Sequence, residues 1–282
     1  MIRSLLAFAA LAIPAIIPTA ALAQYSEATP AHPTEAAHQR LSYNHVNVDG
    51  PYIALTFDDG PGKTTTPQLL DILAKKGIKV TFFLLGENAK DNPEIVKREL
   101  AEGHELGNHS WNHPDLAKKP DDAVRSQLQQ TQDTVFHITG TKPKVMRPPY
   151  GAITPAQKKW IHDEFGLNVI IWAVDPNDWK KPGSAVVAQR VVSETKPGDI
   201  ILVHDIHQGT IDAVPAMLEG LQAKGYKFVT VSQLIAMEKP AASPSPSASP
   251  DASATPTPTP KPTATPKPTA TPPPKKKAAA KK

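Results

Sequence analysis

The sequence predicts an α/β fold, a distorted parallel barrel built from seven strand–helix units. Between about residues 49 and 238, short runs rich in β-branched and aromatic residues alternate with longer segments of helical periodicity. This alternation is the pattern of parallel β/α units, and seven of them fit a (β/α)7 barrel. The expected strands are 52–57, 80–85, 104–108, 144–147, 168–174, 200–204 and 227–230.

The segments between these strands carry signals that start and end helices. Pro67 can begin one helix and Gly77 can end it, and Pro93 and Gly103 repeat that arrangement. A later segment has one apolar stripe at helical spacing, made of Val124, Leu128, Val135 and Ile138.

The first 23 residues are typical of a secretory signal peptide. Arg3 precedes an apolar stretch at 5–17, and Ala21-Leu22-Ala23 supplies the small residues of a cleavage site. The alternative, an uncleaved anchor, is disfavoured because Pro14 breaks the stretch and a spanning helix needs about 20 apolar residues. We therefore expect an exported protein, periplasmic or secreted and cell-wall associated, without stable membrane insertion after cleavage. Residues 24–48 are expected to be a leader segment before a folded domain at 49–238.

Residues 239–282 consist almost wholly of Pro, Ala, Ser, Thr and Lys, a composition that predicts a disordered tail. Eight lysines and one aspartate give this tail a formal charge of +7, whereas the whole chain carries +4, so residues 1–238 carry −3. Either the tail is simply solvated, or it contacts anionic polymers of the cell envelope. Nucleic acid is not expected as a partner, because the protein is exported and the folded part lacks a basic-aromatic pattern. The chain has no cysteine, which excludes disulfides and thiol catalysis.

Polar side chains recur where the predicted strands end. In parallel β/α barrels the carboxyl ends of the strands form one open face, on which functional residues gather. In strand order, the polar groups are Asp58 and Asp59, His109 and His113, Arg147 to Tyr150, Asp175 to Trp179, and His204. We therefore expect them at a single rim.

Two imidazoles and a carboxylate among these groups are suited to binding a metal ion. His109 and His113 are four residues apart, which would place them on one face of a helical turn, and Asp59 completes a three-ligand site with open positions. Zn²⁺ is the expected ion, although Co²⁺, Mn²⁺ or Ni²⁺ would also fit these ligands. The same triad occurs in non-haem Fe(II) oxygenases, but that chemistry gives no reason for Asp58 and His204 to lie opposite each other.

Five motifs together resemble the polysaccharide deacetylase family, the NodB-like carbohydrate esterases. They are Thr-Phe-Asp-Asp-Gly-Pro at 56–61, His-Ser-Trp-Asn-His at 109–113, Arg-Pro-Pro-Tyr at 147–150, Asp-Pro-Asn-Asp-Trp at 175–179 and Leu-Val-His at 202–204. No motif position departs from the family pattern. The resemblance implies a catalytic domain at 49–238 with the barrel fold of that family, Asp58 as base, Asp59, His109 and His113 as metal ligands, and Arg147 as the partner of Asp58.

The residue types also suggest roles in the hydrolysis of an amide. Asp58 remains free to act as the base, and Arg147 can pair with it and keep it oriented. Pro148 and Pro149 have no amide hydrogen, so Tyr150 is the first residue after Arg147 whose backbone can donate to an oxyanion. We assign Pro149 and Tyr150 to substrate binding, and the alternative for Tyr150 is a structural role as a packing residue.

The last motifs suggest the general acid and its surroundings. His204 would protonate the departing nitrogen, and either Asp178 or Asp175 would orient its ring. Leu202 lies on the same side of the strand as His204 and would form an apolar wall for an acetyl methyl group. Trp179 would pack against a sugar ring.

These observations predict a metal-dependent hydrolase that removes N-acetyl groups from N-acetylglucosamine units of a polysaccharide. Resemblance and export together favour peptidoglycan as that polysaccharide. The alternatives are a chitin-oligosaccharide or acetylxylan deacetylase, or a non-catalytic carbohydrate-binding protein on the same fold. The last alternative predicts a missing motif residue, and none is missing.

Overall fold

A computed structural model of the protein describes residues 40–239. The predicted signal peptide and, beyond Lys239, the predicted tail lie outside the described residues. Within residues 40–239 no helix has the length and apolar character needed to cross a membrane.

The described chain forms one curved sheet of eight strands in which every strand-to-strand pairing is parallel. Seven strands follow the order β1-β6-β5-β4-β3-β2-β7, and β8 pairs with the beginning of β2. The strands are β1 Ser42–Tyr43, β2 Tyr52–Asp58, β3 Thr81–Leu84, β4 Glu105–Asn108, β5 Val145–Met146, β6 Asn168–Ile170, β7 Ile200–His204 and β8 Lys227–Phe228. The parallel barrel predicted from the sequence is thus confirmed.

Helices follow most strands, and several begin or end at the predicted residues. The α-helices are α1 Thr65–Lys76, α2 Gly86–Asp91, α3 Pro93–Ala101, α4 Asp121–Thr139, α5 Pro155–Phe165, α6 Ser184–Glu194, α7 Gln208–Ala223 and α8 Val231–Ala236. Gly77 ends α1 in the left-handed conformation, where a glycine has no Cβ to clash, and Pro93 is the first residue of α3. In α4 the stripe residues Val124, Leu128 and Val135 are buried, as predicted.

The barrel is closed by an irregular stretch rather than by a full strand. The predicted strand 168–174 stops at Ile170, because the carbonyl of Ile171 accepts a hydrogen bond from Arg147 instead of from a neighbouring strand. Hydrogen bonding to β7 begins at Ala173, whose amide donates to the carbonyl of Ile200 at 2.9 Å. Val174 then bridges to Ile201 and accepts a hydrogen bond from the amide of Leu202 at 3.0 Å. This gap and bridge are what make the barrel distorted.

Strand β1 lies in the segment expected to be a leader. Ser42 and Tyr43 pair with Val169 and Ile170, and Tyr43 is buried. The pairing is entirely long-range, and a two-residue strand has too few positions for an alternating pattern to mark it. The sheet therefore includes residues that precede the predicted domain start at residue 49.

Alternation along β2 decides which side chains enter the barrel. Ile53, Leu55 and Phe57 belong to the apolar core packed with α1, α6 and α7. The alternate residues Ala54, Thr56 and Asp58 point to the opposite face, because side chains alternate along a strand. Asp58 thereby reaches the barrel interior at the carboxyl end of its central strand.

Packing of the 45–47 segment against the loop before β7 requires glycine at position 198. Gly198 has φ +85°, and a Cβ there would lie 2.0 Å from the carbonyl oxygen of Val46. Gly166 is a matched control, because its φ is +65° and a Cβ would meet no atom within 4 Å. We expect Gly166→Ala to lower the free energy of unfolding by about 1–2 kcal/mol, and Gly198→Ala by about 2–5 kcal/mol because overpacking adds to the conformational strain. Urea denaturation measures both, and equal losses would contradict the packing described.

Candidate active site

The carboxyl end of β2 presents two successive aspartates to the same cavity. Asp58 is the last strand residue, and Asp59 has φ 71°, which reverses the chain direction at once. On a regular strand the two side chains would face opposite ways, so the left-handed residue is what brings both to one side. The side-chain amide of Asn88 donates to the carbonyl of Asp59 at 2.7 Å, and the backbone amide of Leu85 donates to the carbonyl of Gly60 at 3.1 Å. These two hydrogen bonds hold the turn.

His109 and His113 reach the same place from a loop, not from a helix. His109 follows the last residue of β4, and Ser110 and His113 have positive φ angles of 70° and 62°. The side chain of Asn108 accepts from the amide of Ser110 at 2.9 Å, in place of a helical bond. The helical turn expected from the four-residue spacing is therefore wrong, although the expected convergence of the two rings occurs.

Asp59, His109 and His113 are arranged as a metal site. Asp59 Oδ1 lies 3.4 Å from His109 Nε2 and 3.4 Å from His113 Nε2, and one ligand atom from each residue lies within 4.8 Å of the others. Tetrahedral ligands at about 2.1 Å from Zn²⁺ would be about 3.4 Å apart, so the spacing fits such an ion. Asp59 Oδ1 is also buried without a hydrogen-bond partner, as expected of an oxygen placed for a cation.

Hydrogen bonding and charge favour the protonation states that these three side chains need in order to bind a metal ion. His109 Nδ1 donates to the carbonyl of Arg147 at 2.6 Å, which leaves Nε2 of that ring as the free ligand atom. Burial alone would raise the pKa of Asp59, but the facing rings of His109 and His113 lower it to about 2. Burial, followed by the neighbouring charge of His109, lowers the pKa of His113. At neutral pH the site thus offers a carboxylate and a neutral imidazole.

Arg147 and Asp58 form a buried ion pair beside these ligands. Arg147 Nη1 donates to Asp58 Oδ1 at 2.6 Å and to Thr56 Oγ1 at 2.7 Å, and neither charged side chain is more than 3% exposed. The guanidinium carbon also lies 4.3 Å from the ring centre of Phe83. Asp58 Oδ2 is left facing His109 Nε2 at 3.7 Å. The pairing expected from the sequence is present, and it points one carboxylate oxygen of Asp58 at the metal ligands.

His204 lies at the end of β7, where Asp178 orients it. Asp178 Oδ1 accepts from His204 Nδ1 at 2.9 Å, and Asp178 Oδ2 accepts from the His204 amide at 2.8 Å and from Thr210 Oγ1 at 2.7 Å. Burial would lower the pKa of His204, but the hydrogen bond and charge of Asp178, with the charges of Asp58 and Asp59, raise it to about 9. Asp175 instead accepts from the backbone of Asn177 at 2.8 Å. Of the two candidate partners, the structure therefore selects Asp178.

A cavity of about 440 Å³ joins these groups. Its lining residues are Asp58, Asp59, His109, His113, Pro148, Tyr150, Trp172, Asp175, Trp179, Leu202 and His204. Tyr150 and Trp179 are 68% and 49% exposed, so aromatic side chains flank its mouth. The Tyr150 ring also contacts that of His113 with 4.5 Å between the ring centres.

Some assignments differ from the sequence analysis. Pro149 is buried and is not among the cavity-lining residues, whereas Pro148 is, because the chain enters a 3-10 turn at Pro149. Trp172, to which the sequence analysis gave no role, lines the cavity. Thr210 was not predicted at all, since its contact with Asp178 joins the first turn of α7 to a loop 32 residues earlier. No local pattern in the sequence marks such a contact.

Comparison with known proteins relates this site to one family. The polysaccharide deacetylase family model matches residues 45–170. A peptidoglycan-N-acetylglucosamine deacetylase, PgdA, of Listeria monocytogenes is 46% identical over 182 residues, which cover 64% of this chain and 38% of that protein. A peptidoglycan-N-acetylglucosamine deacetylase of Bacillus cereus is 41% identical over 198 residues, which cover 67% of this chain and 72% of that protein. The chain thus spans well under half of the Listeria relative and most of the Bacillus one.

A solved structure shows the same fold. The crystal structure of the Bc1960 peptidoglycan N-acetylglucosamine deacetylase, in complex with an N-hydroxybenzamide compound, superposes with a TM-score of 0.68 at 38% identity. The match covers 71% of this chain and 96% of that one.

The buried ion pair predicts a specific pattern of stability changes. Arg147→Met would leave Asp58 as a buried carboxylate without its cation, so we expect it to lower the free energy of unfolding by about 3–5 kcal/mol. The double variant Arg147→Met/Asp58→Asn removes that unpaired charge, so it should be more stable than Arg147→Met alone. Urea denaturation of the metal-free proteins measures these changes. If the loss of unfolding free energy in the double variant equals the sum of the losses in Arg147→Met and Asp58→Asn, the two residues are not coupled and the prediction is contradicted.

Proposed function

The chain belongs to the polysaccharide deacetylase family, and from this premise we propose that it is a metal-dependent N-deacetylase. Its substrate would be the N-acetylglucosamine units of peptidoglycan, the polymer named for both relatives described above. The observation that carries the proposal is the cavity in which an Asp-His-His cluster lies between a buried aspartate and an oriented histidine. This arrangement would supply a base, an acid and a metal site, which are the parts that amide hydrolysis requires.

Asp59, His109 and His113 would hold one divalent ion, and Zn²⁺ suits an Asp-His-His donor set best, with Co²⁺, Mn²⁺ or Ni²⁺ as alternatives. When bound, the ion acts as a Lewis acid that polarises the acetyl carbonyl and favours deprotonation of the attacking water.

Asp58 would accept the proton of that water. Its Oδ2 faces the ligand cluster, while its Oδ1 is held by Arg147. Because both partners are buried, the carboxylate cannot turn away from the cavity without breaking an ion pair in a low-dielectric interior. Arg147 therefore acts as a positioning residue for the base.

His204 would protonate the departing sugar nitrogen. With its pKa raised to about 9, the ring is a cation at neutral pH, and its Nδ1 is engaged by Asp178. The Nε2 proton is therefore the one available to the leaving group. Asp178 fixes this orientation and stabilises the charged ring.

The remaining cavity residues would bind the sugar and its acetyl group. Leu202 supplies an apolar surface two positions before His204 on β7, and Trp179 supplies an exposed ring for a sugar face. Tyr150, the first residue after Arg147 with a backbone N–H, is proposed as the oxyanion donor. Pro149 would act through the shape of the turn, since its neighbour Pro148 lines the cavity.

The proposal extends to where the enzyme works. A cleaved signal peptide at 1–23 would deliver the catalytic domain to the periplasm or cell wall, where peptidoglycan lies. The lysine-rich segment 239–282 is proposed to contact anionic envelope polymers, because it carries +7 while the rest of the chain carries −3. Chitin oligosaccharides and acetylxylan are the competing substrates. The complete base, acid and ligand set argues against a non-catalytic carbohydrate-binding role.

The activity is tested on peptidoglycan with the full mature chain. We expect release of acetate and formation of free amines, loss of both after chelation of the metal, and recovery on addition of Zn²⁺. Asp58→Asn should bind metal but lose about 10²–10⁴-fold in kcat, the usual contribution of a general base. Mass spectrometry of muropeptides measures the product. Full activity in the chelated protein, or in Asp58→Asn, would contradict the proposed mechanism.

The Asp178–His204 pair predicts a change in the pH profile. The general acid must be protonated, so activity falls as pH rises through the pKa of His204. Asp178→Asn removes the charge that raises this pKa, so the alkaline limb of kcat should move to lower pH, towards the unperturbed histidine pKa of about 6.5. Thr210→Val is the control, because it removes a hydroxyl bonded to Asp178 but keeps the carboxylate. An unchanged alkaline limb in Asp178→Asn would exclude His204 as the acid.

A further inference from the structure

Another buried carboxylate, Asp205, lies behind the turn that carries Asp59. It follows His204 at the end of β7 and is 0% exposed. Its Oδ2 accepts a hydrogen bond from Thr66 Oγ1, whereas its Oδ1 has no hydrogen-bond partner within residues 40–239. The chemistry proposed above makes no use of this group.

Asp205 is in direct contact with the residue next to Asp59. A Cβ on Gly60 would lie only 2.3 Å and 2.5 Å from the two oxygens of Asp205, so the carboxylate rests against the Gly60 Cα. Any larger residue at position 60 would have to displace this carboxylate or the turn itself.

Thr66 connects Asp205 to the far end of the same turn. The amide of Gly62 donates to Thr66 Oγ1 at 2.8 Å, and the amide of Thr66 donates to the carbonyl of Gly62 at 3.1 Å. The hydroxyl thus accepts from Gly62 and donates to Asp205. On the opposite side, Asn88 and Leu85 bond the carbonyls of Asp59 and Gly60. The 59–62 turn is consequently held from two sides.

A carboxylate is a costly choice for a position that needs only packing. Burying it with one unpaired oxygen costs free energy that an apolar side chain of similar size would not. The hydrogen bond from Thr66 gives the polar group a use that an apolar residue could not supply.

We propose that Asp205 is a positioning residue for the metal site. With Thr66 it fixes the 59–62 turn so that Asp59 Oδ1 stays 3.4 Å from both histidine Nε2 atoms. Because Asp205 is adjacent to His204, it also joins this turn to the strand that carries the acid. The inference rests on the proposed function, since it concerns the ligand Asp59.

The test compares metal affinity in variants of Thr66 and Asp205. Thr66→Val keeps the shape but removes the hydroxyl, and Thr66→Ser is the matched control that keeps it. Co²⁺ titrated into the metal-free full-length protein should bind about 10- to 100-fold more weakly to Thr66→Val, the usual effect of losing a group that orients a ligand, and within about twofold of wild type to Thr66→Ser.

Asp205→Ala provides a second, independent variant. Thr66 and Asp205 act through one hydrogen bond, so the double variant Thr66→Val/Asp205→Ala should bind Co²⁺ about as weakly as the weaker-binding single variant. Thermal unfolding of the metal-free proteins gives the structural contribution separately. Wild-type Co²⁺ affinity in Thr66→Val, with only its thermal stability reduced, would overturn this inference alone. Failure of the wild-type protein to bind Co²⁺ would overturn the proposed function as well.

Discussion

The buried ion pair between Arg147 and Asp58 is the interaction on which the rest of the site depends. It joins the ends of β5 and β2 inside the barrel. Arg147 also donates hydrogen bonds to Thr56 Oγ1 and to the carbonyl of Ile171. Two charges removed from water are favourable only when each satisfies the other with good geometry. The barrel must therefore hold these residues in one arrangement. That arrangement also fixes the carbonyl of Arg147, which accepts from His109 Nδ1 and leaves Nε2 facing Asp59.

Three departures from regular structure bring the functional side chains together. Asp59 and His113 both have positive φ, and β6 stops early because Ile171 bonds to Arg147. A regular strand would point Asp58 and Asp59 apart, and an unbroken β6 would leave the guanidinium without this acceptor. Backbone strain of this kind is stable only where surrounding contacts determine it. The bonds from Asn88 and Leu85 to the turn, and from Ser110 to Asn108, are such contacts.

The barrel and most of the site could be predicted because their signals are local. Strand alternation, helix-ending glycines and motifs at strand ends give the parallel fold, and the placement of Asp58, Arg147 and His204 follows from it. The short strand β1 and the contact of Thr210 with Asp178 could not be predicted, since each depends on residues far apart in sequence. The wrong helical turn at His109 has a different cause. A four-residue spacing fits a helix and a tight loop equally well, and the hydrogen bonds that the side chains of Asn108, Ser110 and Gln127 accept from loop amides favour the loop.

The position of β2 in the sheet has a consequence for how the chain folds. This strand pairs with β3, β7 and β8, and the hydroxyl of Thr56 bonds the carbonyl of Ile201, 145 residues further along the chain. Bringing such distant segments together costs loop-closure entropy. We therefore expect the pairing of β2 with β7 to form later and more slowly than local contacts. Before β7 docks, residues 54–58 of β2 lack their partner on one side. A change that delays the docking of β7 should therefore leave this part of β2 without a neighbour for longer during folding.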